Sequence, residues 1–153
     1  MKLSGAVPGS TTTFTPSAGV ANWILESTSS TQIVAIQEVA FGGELTSSTA
    51  MRTRIARDSA VGTGARTAGL VQRVDQTLTS AGNAAYFSTT YASAQPTIIA
   101  GALRQFSWNA NGGFIRWLAA PGEEFLINVA ASIECRQDIG TGQSSYDCLW
   151  SEF

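Results

Sequence analysis

Glu124-Phe-Leu-Ile-Asn-Val-Ala-Ala-Ser-Ile-Glu-Cys-Arg136 is the stretch on which the reading of this chain turns. Phe125, Ile127, Val129, Ala131, Ile133 and Cys135 fall on one side of an extended backbone, and Asn128, Ala130, Ser132 and Glu134 on the other. A period of two held this long is the signature of a strand with one dry face and one face that is wet or meets something polar. The period of 3.6 that an amphipathic helix needs is sustained nowhere in the chain.

Working outward, Pro121-Gly122 is a tight turn that delivers the chain into this strand. Before it, 113–119 and 97–108 read as strands, with Asn111-Gly112-Gly113 expected to close a hairpin between them. After it, 145–152 is the last strand. Toward the start, 69–78, 50–57, 31–41 and 20–27 complete a set of eight, separated by turn formers such as Gly42-Gly43. In 50–57, Met51, Thr53 and Ile55 oppose Arg52, Arg54 and Ala56, a half-buried antiparallel pattern. In 31–41, Val34, Ile36 and Phe41 straddle both parities, which implies a strand covered on both faces or interrupted by a bulge. Residues 79–96, with Tyr86, Phe87 and Tyr91 among small polar residues, read as a long excursion. Eight antiparallel strands without a long helix imply an all-β fold: a two-sheet antiparallel sandwich over 20–153, of jelly-roll rather than immunoglobulin type.

Residues 1–19 have a different composition. Ser, Thr, Gly and Pro surround a single Phe, so this segment is expected to be an extended N-terminal arm with no core of its own. Either it frays, or it lies on a neighbour with Thr12, Phe14 and Pro16 as contacts.

The chain has 153 residues, with 22 Ala, 17 Ser and 17 Thr against 13% charged residues, about half the usual fraction. So poorly charged a surface implies that part of it is covered. A net charge of −2 gives no field for nucleic-acid backbones, and the start lacks the apolar run of a secretory signal. No 18-residue apolar stretch exists, so neither nucleic acid nor membrane is an expected partner, and synthesis in the cytosol is expected.

The chain contains no histidine, which excludes Ser-His-Asp and Cys-His nucleophile systems and imidazole metal sites. Glu123-Glu124 at a strand entrance read as solvated turn residues rather than a glycosidase pair. Asp58, Asp75, Asp138 and Asp147 are scattered singly, without a calcium-loop spacing. Gly62-Thr63-Gly64 and Gly140-Thr141-Gly142 precede no helix and read as loop tips. No catalytic group, metal or cofactor is therefore expected. Cys135 and Cys148 stand opposite each other if the last two strands form a hairpin, and are separate core residues if those strands lie in opposite sheets; free buried thiols are favoured over a disulfide.

Aromatic residues crowd the last third. Core packing accounts for some of them, yet Phe106 and Trp108 share parity with Arg104, while Trp117 has the opposite parity to Phe114. Bulk on both faces implies a second buried surface, such as a homo-oligomeric interface built from Arg104, Phe106, Trp108, Arg116 and Trp117. A sugar-binding platform of exposed Trp and Tyr is the competing reading.

The Ala- and Thr-rich start, Gly113-Phe-Ile-Arg-Trp-Leu-Ala-Ala-Pro-Gly-Glu-Glu-Phe-Leu-Ile127 and the closing Tyr146-Asp-Cys-Leu-Trp-Ser-Glu-Phe153 resemble the jelly-roll capsid decoration, or cement, proteins of tailed bacteriophages. The resemblance implies a mechanical role on the capsid surface of a virion. Homotrimers would sit at local three-fold positions and bridge major capsid proteins, often through an N-terminal arm. It carries over no catalytic or metal residue. The alternative is a carbohydrate- or receptor-binding sandwich, as a tail appendage or lectin.

Overall fold

The structure, a computed structural model, describes residues 2–7, 18–60, 62–68, 70–74, 85–91 and 93–153. Among them are no helix and thirteen strands. In chain order these are β1 (Lys2–Val7), β2 (Ala21–Ser27), β3 (Val34–Glu44), β4 (Ala50–Ala60), β5 (Arg66–Ala68), β6 (Leu70–Arg73) and β7 (Ala85–Tyr91). They continue with β8 (Thr97–Ile98), β9 (Arg104–Asn109), β10 (Asn111–Leu118), β11 (Phe125–Ile127), β12 (Ser132–Ile139) and β13 (Ser144–Glu152). One sheet, A, has the order β10-β3-β13-β1-β6, with β11 also paired to β3. The other, B, has the order β5-β7-β2-β12-β4-β8, with β9 also on β4. All pairs are antiparallel, so the all-β, two-sheet reading holds.

Between the sheets lies one continuous core. Sheet A contributes Ile36, Val39, Phe41, Tyr146 and Trp150, and sheet B contributes Trp23, Leu25, Ile55, Ile133 and Cys135. A polar bridge crosses it. Tyr146 Oη on β13 donates to Gln137 Oε1 on β12 at 3.1 Å, and Thr53 Oγ1 donates to the same oxygen at 2.9 Å while accepting from Trp108 Nε1 at 3.0 Å. Gln137 in turn donates through Nε2 to the Ile139 carbonyl. Each buried group finds a partner, so the bridge fixes how the sheets align rather than leaving a desolvation penalty.

Several expectations change. The alternating stretch 124–136 is two strands, β11 in sheet A and β12 in sheet B, joined by a corner at 128–131. There Asn128 Oδ1 accepts from the Val129 amide, the Ala131 amide reaches the Asn128 carbonyl, and Ala130 takes a left-handed φ of 55°. Because the corner preserves parity, Phe125 and Ile127 on one side of it and Ile133 and Cys135 on the other all point into the core, and periodicity hides the break. Residues 103–108 and 114–119 form no hairpin: β9 pairs with β4 and β10 with β3, the chain passing between sheets at Ala110. That crossing is tight enough that a Cβ on Gly43 would meet the Ala110 carbonyl oxygen at 2.2 Å.

The N-terminal segment is not an arm throughout. Lys2–Val7 is an internal strand, paired with β13 on one side and β6 on the other, so that two neighbours satisfy the backbone of a segment too poor in apolar groups to form a core alone. Thr12, Phe14 and Pro16 lie outside the described residues. The expected excursion at 79–96 contains β7, whose Tyr, Phe and Thr are strand formers masked by the Ser and Ala around them. In β3 the straddling parity is a bulge: the register jumps between Leu149 opposite Glu38 and Trp150 opposite Ile36, leaving Gln37 unmatched. Cys135 and Cys148 are free, buried and in opposite sheets, so the hairpin register that would set them side by side is not formed. Burial pushes both thiols well above the usual range.

Candidate functional site

Core packing consumes one face of each sheet, so function must be sought on the two faces turned outward. They differ sharply.

On sheet A the register lays out the rows. Phe114 stands opposite Gly42, which stands opposite Ser145; the next row is Arg116, Ala40, Asp147 and Ala6; the next is Leu118, Glu38, Leu149 and Ser4. Farther along, Leu126, Ala35 and Ser151 form a row, and Ile33 and Phe153 exchange backbone hydrogen bonds at the end. The interior of this face mixes small residues, Gly42, Ala40, Ser145 and Ser4, with Glu38, Asp147 and Leu149. Its periphery is large, apolar and uncovered: Phe114 is 67% and Leu118 62% exposed, and Leu126, Phe153 and Ile33 are exposed as well. Soluble monomers rarely leave so many large apolar groups on one sheet face.

Three ionisable side chains interrupt it. Arg116 forks onto Glu38, Nε to Oε1 at 2.6 Å and Nη2 to Oε2 at 2.9 Å. Asp147 sits next to this pair; burial, then the neighbouring Glu38 carboxylate, raises its carboxyl above the usual range. Ser4, Glu38, Val74, Asp147 and Leu149 line a shallow hollow of about 190 Å³.

Sheet B turns outward a denser set of charges. Glu134 on β12 is fully buried, and Arg136 donates from Nη2 to its Oε2 at 3.0 Å with Nε against Oε1. The same Nη2 donates to the Pro96 carbonyl at 2.7 Å. Across on β4, Asp58 Oδ2 accepts from Ser132 Oγ at 2.6 Å, and Arg54 Nε lies 2.8 Å from Asp138 Oδ1. Burial, then the Asp58 charge, pushes Glu134 up to about 7. Burial also pushes Asp58 up to about 6, against the Ser132 hydrogen bond and Arg136, which hold it down. Among the described residues no group of three or more His, Cys, Asp or Glu is placed to hold a metal ion.

The five interface candidates separate. Trp108 belongs to the core, and Phe106 and Trp117 pack against it. Phe106 meets Phe41 edge-on with centroids 5.3 Å apart, and Trp117 stacks on Phe125 at 4.2 Å with planes 3° apart. Arg104 is exposed at the end of β9, its guanidinium 5.7 Å from the centre of the Phe125 ring. Of the five, only Arg116 lies on the apolar outer face of sheet A. On β9 both aromatics face inward and the outward side is Gln105 and Ser107, so bulk on both faces is found only on β10, where the outward side carries Phe114 and Leu118, not Trp117. Parity with Arg116, at two residues either way, is the signal that identifies them.

The class defined by this fold and these faces is an antiparallel β-sandwich with one outer face apolar and one charged. No family model, no curated protein and no solved structure matches the chain.

Proposed function

We propose that this chain is a non-enzymatic structural protein of a phage virion, a jelly-roll sandwich that assembles with copies of itself into a homotrimer and decorates the capsid by bridging major capsid proteins. The observation that carries the assembly part is the outer face of sheet A, where Phe114, Leu118, Leu126, Ile33 and Phe153 lie around central strands of mostly small residues with Glu38, Asp147 and Leu149 among them. Large apolar groups around a flat floor offer another protein surface contact area at little desolvation cost. The capsid setting is supported by the resemblance of 113–127 and 146–153 to decoration proteins.

The sugar-binding alternative has less behind it. Trp23, Trp108, Trp150 and Tyr146 are buried, Trp117 is stacked inward, and the exposed aromatics among the described side chains are Phe114 and Phe153, which lack the polar handle a sugar platform uses.

Light scattering on the purified protein tests the assembly part. A multiple of the 16.0 kDa chain mass is expected, reverting to the single-chain mass in Phe114→Ser/Leu118→Ser. A wild-type chain that stays at 16.0 kDa and does not co-sediment with phage particles would end the proposal.

A further inference from the structure

Residues 95–99 run beside β4 at the edge of sheet B and are held there at several points. Arg136 donates to the Pro96 carbonyl, Ser59 Oγ donates to the Thr97 carbonyl at 3.0 Å, Ile98 pairs with Asp58, and the Ile99 amide reaches the Arg57 carbonyl at 2.8 Å. Arg136 is the shared anchor, since the nitrogen that holds Pro96 also holds the buried carboxylate of Glu134. We infer that residues 95–99 form an acid-tightened clasp on the β4 edge of sheet B, with the Glu134–Asp58 carboxyl pair, joined to it through Arg136 and the Ile98–Asp58 pairing, as the proton-sensing element.

The charges around Glu134 set the direction. From its own strand it meets Arg136; from β4 it meets Asp58 and Arg54; Glu26 on β2 adds negative charge beside Asp58; and 95–99 contribute no titratable group. With the clasp closed, Glu134 has no exposed surface and Asp58 is only partly exposed, and both hold protons more tightly than usual. Opening hydrates them and lets a proton go. By linkage, opening is therefore favoured as pH rises through about 6 to 7 and opposed below it. This goes beyond the assembly role, because it concerns the opposite face and needs no partner.

The readout is amide hydrogen exchange on the full chain at pH 5.5 and 8.0, corrected for the intrinsic pH dependence of exchange. The Ile99 amide reports the clasp and the Cys148 amide, on central strand β13, reports the core. Protection at Ile99 should fall about tenfold or more between the two conditions while Cys148 changes little. In Glu134→Gln the Ile99 dependence should largely vanish. If that variant does not fold, Asp58→Asn, which removes the neighbouring charge, should reduce the slope instead. Equal protection at both pH values, an equal loss at Cys148, or an unchanged slope in whichever variant folds would overturn the inference.

Discussion

Each outer face of the sandwich carries an arginine forked onto a glutamate, and the two forks are the same chemistry in different surroundings. Arg116 and Glu38 sit on sheet A with the arginine 57% exposed. On sheet B, Arg136 is 12% exposed and Glu134 is fully buried. Water screens the first pair and can replace either partner when the other is removed, so it adds little to stability. The second pair has given up its hydration, and either partner left alone would be a charge in a poorly polarisable site. The comparison shows which face the fold depends on. Sheet B uses its charges internally, whereas sheet A leaves apolar surface uncovered and keeps its one arginine fork where solvent can reach it.

Removing Arg136 tests this contrast most severely. Arg136→Ala should destabilise the chain by about 3–5 kcal/mol in denaturant unfolding, because Glu134 is left buried without its partner. A loss close to zero would mean that sheet B is no more buried in solution than sheet A. Acidity should produce the next largest effect. Glu134 binds its proton more tightly folded than unfolded, so its ionised form weighs against the fold at pH 8. That penalty lifts as pH falls through about 7 and is gone near the ordinary value of 4.5. Stability should thus rise by about 2 kcal/mol between pH 8 and pH 5, and Glu134→Gln should flatten the rise. A melting temperature that falls over that interval would contradict the burial of the pair. Phe114→Ser should leave the unfolding free energy of the single chain within about 0.5 kcal/mol of wild type while changing the mass in light scattering. A large loss of chain stability would place Phe114 in the core rather than on an outer face. Smallest of all, Arg116→Ala should not move the denaturant midpoint beyond experimental scatter, and a clear shift would show that the two forks are more alike than their exposure implies.

The chemistry of single strands was legible in the sequence and their assignment to sheets was not. Alternation in 50–57 and 125–135 correctly oriented Met51, Ile55, Phe125, Ile127, Ile133 and Cys135 toward the core. It could not show that the chain changes sheets at 128–131, where the corner preserves the parity of inward residues, nor at Ala110, where inward residues switch from even (Phe106, Trp108) to odd (Ile115, Trp117) across what read as a hairpin turn. Short strands built from small and polar residues, β1, β5 and β7, escaped notice because their pairing comes from neighbours distant in sequence rather than from their own apolar content. The outer-face residues were within reach: Phe114 and Leu118 share parity with Arg116, which was singled out. The Glu134–Asp58 pair was not, since the two residues are far apart in the chain and only the pairing of β12 with β4 brings their strands together.

The placement of β1 and β13 in sheet A has a consequence for how the chain comes to be folded. Lys2 stands opposite Ser151 and Leu3 opposite Trp150, so β1 cannot complete its pairing until β13, far later in the chain, has been made. β13 is also the neighbour of β3, which means that the middle of sheet A is missing until residues 144–152 have left the ribosome. Before then β1 and β3 expose open edges able to pair with other nascent chains, a hazard that grows with expression rate. Sheet B faces no such delay at its centre, since β2, β4 and β12 are complete by residue 139. Slow translation or lowered temperature should therefore favour recovery of folded protein, with sheet A closing last around a sheet B already in place.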